Sequence, residues 1–138
     1  MIAVDTNVLL RYLLEPIDSK NPSWQVVEAA KVIHQADDVF ISDIVMVEIE
    51  GVLESVFELT TKEIAELMAD LISNSKFKFE DWSAIQCALL DYRENSKIEL
   101  SDYIIARHSN HIGCKTLYTF EKETKLGRLS IVTSLKKE

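Results

Sequence analysis

An α/β domain with a short, mainly parallel sheet is the fold class this sequence predicts, on three observations. Short apolar runs, at Met1 to Val4, Val39 to Ile41, Phe77 to Phe79 and Thr116 to Tyr118, alternate with longer stretches of helical periodicity. The first run stops at Asp5-Thr6-Asn7, and in open α/β sheets the carboxyl ends of strands are where ligands bind. The length, 138 residues with 47% apolar and 28% charged, suits one domain over residues 1–138 with a real core and no room for a second. Strands alternating with helices in this way give an α/β/α sandwich.

In chain order, Met1 to Val4 reads as an interior strand, and Asp5 or Thr6 starts a helix over Val8 to Leu14 that stops near Pro16. A polar loop follows, and Asn21-Pro22 opens a second helix with Pro at its first position, running through Trp24, Val27, Ala30 and Ile33 to about Ala36. Asp37-Asp38 breaks it before the strand Val39 to Ile41. Ser42 caps a third helix carrying Ile44, Val45, Ile49, Val52, Leu53 and Val56 at helical spacing. On that wheel Glu48 falls one turn from Ile44 and from Val52, whereas Glu50, Glu54 and Glu58 point to the polar side. Thr60-Thr61-Lys62-Glu63 has the pattern of a capping box, ahead of an amphipathic helix with Ile64, Leu67, Met68, Leu71 and Ile72. Phe77 and Phe79 alternate as a half-buried strand, and Asp81 starts a helix with Ile85, Ala88, Leu89 and Tyr92 on one face. Ser101 caps a helix that holds Asp102 in its first turn and closes at Gly113, a residue suited to a left-handed C-terminal position. After the strand Thr116 to Tyr118, Leu126-Gly127-Arg128 turns the chain into a last strand, Leu129 to Val132.

The charge and cysteine content exclude several classes. A net charge of −8 argues against binding nucleic acid through a broad basic face, although carboxylates gathered around divalent metal would themselves inflate the acidic count. Lys115, Lys122, Lys125, Arg128, Lys136 and Lys137 form a modest basic group late in the chain. Cys87 and Cys114 stand apart as buried free thiols, with no zinc set completing His108 and His111. No basic leader precedes the first strand and no run is long enough to span a membrane, so a cytoplasmic protein without membrane contact is expected.

Four acids stand beside apolar runs: Asp5, Glu48, Asp102 and Glu121. Acids are rarely buried without a partner, and a shared metal ion is the partner that satisfies all four at once. Carboxylate oxygens suit hard divalent ions.

Together these segments resemble the PIN domain. Ile2-Ala3-Val4-Asp5-Thr6-Asn7-Val8-Leu9 is similar to that family's opening motif, Val47-Glu48-Ile49 with Val52-Leu53 to its helix glutamate, Ser101-Asp102-Tyr103-Ile104-Ile105-Ala106 to its third acid. Leu117-Tyr118-Thr119-Phe120-Glu121-Lys122-Glu123 resembles its fourth motif, with Glu121 where the family usually has Asp. The small size and the Asp-Thr-Asn opening are most similar to VapC-like toxins of toxin-antitoxin pairs. The resemblance implies an endoribonuclease dependent on Mg²⁺ or Mn²⁺, with Asp5, Glu48 and Asp102 as catalytic metal ligands and Glu121 joining them directly or through water. Thr6, Asn7, Glu99, Thr119 and Glu123 would support the ligands, and Arg11, Arg107 and Lys122 would meet substrate phosphate. It also implies a homodimer held inactive by a cognate antitoxin protein, for which the helices from Asn21 to Ala36 and Ser42 to Leu59 offer apolar surface. Two other readings stay open: a non-catalytic module that binds RNA or protein, and a phosphotransfer protein with Asp5 as nucleophile, which Asn at position 7 disfavours.

Overall fold

The computed structural model of the chain describes residues 1–14, 23–120, 129 and 131–137. Its residues fall into two compact units, Met1–Glu80 and Asp81–Glu138.

In the first unit, β1 (Ile2–Ala3), β2 (Val39–Ile41) and β3 (Phe77–Phe79) form one parallel sheet in the order β1-β2-β3. Ile2 lies opposite Val39, and Val39 in turn opposite Phe77. Between β1 and β2 run α1 (Thr6–Leu14) and α2 (Trp24–Gln35), and between β2 and β3 run α3 (Asp43–Ser55) and α4 (Thr61–Ser73). Parallel neighbours need such crossovers, because a tight turn reverses the chain. Leu9, Ile33, Val39, Ile41, Ile49, Leu53 and Ile64 are fully buried and make up the unit's core.

Local chemistry explains most helix ends. Asp5 caps α1 by accepting the Val8 N–H at 3.1 Å. Ser42 caps α3, and Thr60 with Glu63 completes the reciprocal capping box of α4. The backbone N–H of Thr60 holds the Glu63 carboxyl below its usual range, with the Thr60 side chain adding to the effect. At the far end of α2, Lys76 Nζ donates to the carbonyls of Ile33, His34 and Ala36 at 3.0, 3.1 and 2.7 Å.

Two expectations about these helices are corrected. Ser23 is the N-cap of α2, its hydroxyl accepting the Val26 N–H, so Trp24 and not Pro22 holds the first helical position. Asn21 and Pro22 lie outside the described residues, as does Pro16. The stripe that α2 buries is Val26, Ala29, Ala30 and Ile33, which leaves Trp24 and Val27 in solvent. On α3 the buried stripe is Val45, Met46, Ile49, Glu50 and Leu53, one position round from the expected face. Ile44 and Val56 are exposed in consequence, Glu50 is only 7% exposed, and Glu48 faces solvent. An apolar count cannot fix the stripe on a helix that also carries the exposed Ile44 and the half-buried Val52.

In the second unit, α5 (Trp82–Glu94) packs against α6 (Leu100–Ile112), and β4 (Leu117–Thr119) pairs in parallel with β5 (Val132–Ser134). Asp81 caps α5 through the Ala84 N–H at 2.9 Å. Arg107 on α6 binds Asp91 on α5 in a bidentate pair, Nε at 2.7 Å and Nη2 at 2.8 Å, with Asp91 nearly buried. Gly113 closes α6 at φ 100°, the left-handed position that glycine takes without strain. Glu99, not Ser101, is the N-cap residue of α6, and it makes no side-chain cap bond. Ser101 sits inside the first turn and donates to Glu99 Oε2 at 3.4 Å.

The last strand begins later than Leu129. Its ladder residues are Val132, Thr133 and Ser134, with Thr116 Oγ1 donating to the Ile131 carbonyl and meeting Thr133 Oγ1. Two polar residues on this strand hid it from a reading by hydropathy. Cys87 and Cys114 are free thiols, the first half-buried and the second exposed rather than buried. No helix among the described residues is long and apolar enough to cross a membrane. The mixed α/β class with short parallel sheets stands as expected.

Candidate active site

Three strand ends of the first unit deliver polar groups to one edge of its sheet. Asp5 follows β1, Ser42 and Asp43 follow β2, and Glu80 follows β3. In a parallel sheet these ends lie side by side, so the edge is acidic by topology alone. Glu80, which periodicity did not mark, accepts both the Ser42 hydroxyl at 3.2 Å and the Asp43 N–H at 3.1 Å, fixing the start of α3.

The start of α3 sets the direction of Glu48, less than two turns further on. Thr6 Oγ1 donates to Glu48 Oε1 at 3.0 Å across 42 residues of sequence. That bond joins the turn after β1 to the outer face of α3, and it aims one oxygen of the glutamate. Asp5 keeps one carboxylate oxygen on the Val8 N–H. No other hydrogen bond among the described residues reaches either acid, so Asp5 Oδ2 and Glu48 Oε2 are both available. Asp5, Asn7 and Glu48 are exposed. Asp5 and Glu48 are therefore open to solvent, where burial beside the apolar runs was expected.

Beside Asp5 opens a cavity of about 590 Å³ between β1, α1 and α2, lined in part by Asn7, Val8 and Arg11 on one side and Trp24 and Gln25 on the other. Arg11 Nε donates to Gln25 Oε1 at 3.2 Å, which holds the guanidinium at the wall.

In the second unit Asp102 sits in the first turn of α6, half-buried, where the helix dipole favours a carboxylate. Burial, then the charges of Asp91 and Asp102, push the neighbouring Tyr103 phenol above its usual value, and its hydroxyl donates to the Asn95 carbonyl at 2.9 Å. Glu99 is exposed one residue before α6. Thr119 ends β4, and Glu121, Lys122 and Glu123 lie outside the described residues. Arg107 already spends two donors on Asp91, so a phosphate there would have to share it. The donor set fits a hard divalent ion: every candidate is a carboxylate oxygen or a hydroxyl that orients one. Among the described residues no three His, Cys, Asp or Glu side chains form a ready-made cage.

A parallel sheet with crossover helices and an acid at the end of its first strand defines an α/β protein of the class that binds ligands at the strand ends. The PIN domain family matches residues 2–129, and the chain belongs to it. PIN domains are generally nucleases, acting on nucleic acid and using divalent metal ions. No curated protein matches the chain.

Proposed function

We propose that the protein is an endoribonuclease dependent on Mg²⁺ or Mn²⁺, a VapC-like toxin acting on RNA in the cytoplasm as one PIN-like nuclease domain over residues 1–138. The observation that carries the reading is the Thr6 to Glu48 hydrogen bond, which brings the Asp-Thr-Asn turn and the helix glutamate of a nuclease family to one place. Asp5, Glu48 and Asp102 would hold the metal, with Glu121 as a fourth carboxylate. An ion held there would supply positive charge to the phosphodiester and a more acidic water as nucleophile, chemistry that would leave a 5′ phosphate and a 3′ hydroxyl. Thr6 would hold one oxygen of Glu48 through its hydroxyl, and Asn7 and Thr119 would supply further polar groups to the site. Arg11 meets the phosphate backbone, with Arg107 and Lys122 as further cations.

The same reading gives the protein a cognate antitoxin and a homodimer. Its support is apolar surface: Trp24, Val27 and Val32 on α2, with Ile44 on α3 and Val56 and Phe57 just beyond it, are exposed.

The test is Asp5→Asn, which preserves the cap because Asn serves that position as well as Asp. RNA cleavage by the parent should appear with Mg²⁺ or Mn²⁺ and vanish in chelator, and the variant should lose roughly two orders of magnitude or more. Mg²⁺ should raise the melting temperature of the parent more than that of the variant. Cleavage undiminished by chelator, or a Mg²⁺ increment intact in Asp5→Asn, would remove the metal site.

A further inference from the structure

The cavity beside Asp5 has a composition that the metal site does not need. Part of its lining is apolar, Val8 from α1 and Ala29 and Val32 from α2, and on the α2 side Trp24 stands 74% exposed. A tryptophan left in solvent at the mouth of a cavity presents a bare aromatic face, at a hydrophobic cost that packing inward would remove. Opposite, Arg11 is the single cation among the described lining residues, held by Gln25 and one turn along α1 from Asn7. Glu28 lines the α2 side, one turn from Trp24. A carboxylate there repels phosphate and accepts hydrogen bonds from an exocyclic amine. The lining is thus divided by polarity, with an aromatic face and a carboxylate on α2 and a cation on α1 that shares the cavity with Asp5.

From this arrangement we infer that the cavity is a nucleotide subsite, in which one base of single-stranded RNA stacks on Trp24 while its phosphate meets Arg11 next to Asp5. The inference rests on the ribonuclease reading above and adds what that reading lacks, a residue that selects for an unpaired base adjoining the cut. A volume near 590 Å³ admits a nucleotide, while a base locked in a duplex could not turn its face to Trp24. A purely apolar partner would leave Arg11, Glu28 and Asp5 desolvated against it.

The protein has two tryptophans, so Trp82→Phe leaves Trp24 as the only indole reporter. In chelator and at low ionic strength, titration of this variant with hexaadenylate should quench the remaining fluorescence saturably. Adding Trp24→Phe should remove the signal and keep most of the affinity for labelled hexaadenylate. Trp24→Ala should weaken binding about 5- to 100-fold, the range that stacking on one aromatic contributes. Arg11→Gln should weaken it too, and flatten its dependence on salt. Absence of quenching, or binding by Trp24→Ala within twofold of the parent, overturns the proposal and leaves the face to an apolar helix of a protein partner. If Trp82→Phe does not fold, the quench lost between the parent and Trp24→Phe gives the same answer. Because the titration uses no metal, quenching without metal-dependent cleavage would sink only the nuclease reading. Cleavage without quenching would sink only the subsite.

Discussion

Lys76 closes the end of a helix that lies about forty residues before it. The last carbonyls of α2 lack the regular partners of the helix interior, although Ile33 also accepts the Ala36 N–H of the cap, and one ammonium with three donors takes three carbonyls from its final turn and cap. Its positive charge also suits the negative end of the dipole. Lys76→Met keeps the stem and removes all three bonds, and should cost about 1–3 kcal/mol, read as a lower urea midpoint at unchanged slope. A midpoint within error of the parent would show that water serves those carbonyls equally well. Nothing in the sequence marks Lys76 for this task, because the contact comes from topology and not from spacing. Thr6 lies between the two cases. Its place after Asp5 in a familiar turn was legible, whereas its bond to Glu48 needed the crossover to bring α3 alongside. Glu48 and Glu50 show where helical periodicity fails: with apolar residues on both sides of α3, the wheel chose the wrong glutamate as the one beside the core.

Two helices of the second unit depend on carboxylates that the sequence displayed without disclosing their partners. Asp91 is nearly buried and joins α5 to α6 through Arg107. Arg107→Met removes the bidentate partner and leaves a charge in a poorly solvated place, so a loss of roughly 2–4 kcal/mol is expected in thermal or urea unfolding. Were stability unchanged while RNA cleavage fell, Arg107 would be serving the substrate and not the helix pair. Asp81 makes a pH-dependent contribution at the start of α5. The Ala84 N–H first, opposed by slight burial, and then the hydrogen bond and charge of His111 hold its carboxyl below the ordinary value of 3.8. A depressed acid stabilises the fold above its unfolded value, and that share is lost as pH falls through the folded value. The parent should therefore lose stability below about pH 4 more steeply than Asp81→Asn, which keeps a capping oxygen and does not titrate there. Parallel melting curves down through that range check it, and identical slopes would assign the acid loss elsewhere. The caps themselves were easy to read from sequence at Asp5, Ser42, Thr60 and Gly113, since each acts within a few residues. Ser23 and Glu99 were missed because neighbouring Pro22 and Ser101 carried louder signals of the same kind.

For the molecule as a whole, a net charge of −8 means that a nucleic acid would approach against a repulsive field, so on the proposed reading favourable contacts would have to be concentrated where the acids gather a cation. Four short motifs in the right order were enough to identify the family, whose match over residues 2–129 runs through both compact units. The details of the candidate site were less legible, since exposure of Asp5 and Glu48 follows from how helices sit on strands. The parallel sheet of the first unit has a further consequence, for the time course of folding. Each rung joins residues roughly forty apart, Ile2 with Val39 and Val39 with Phe77, and two helices lie inside each closed loop. Helices are local and form in microseconds or less, whereas these rungs wait for loop closure. Refolding should show helical ellipticity first and protection of the Val39 amide later, visible by pulsed hydrogen exchange. Simultaneous protection of Val39 and the α4 amides would mean that the sheet, despite its long loops, assembles in the nucleus.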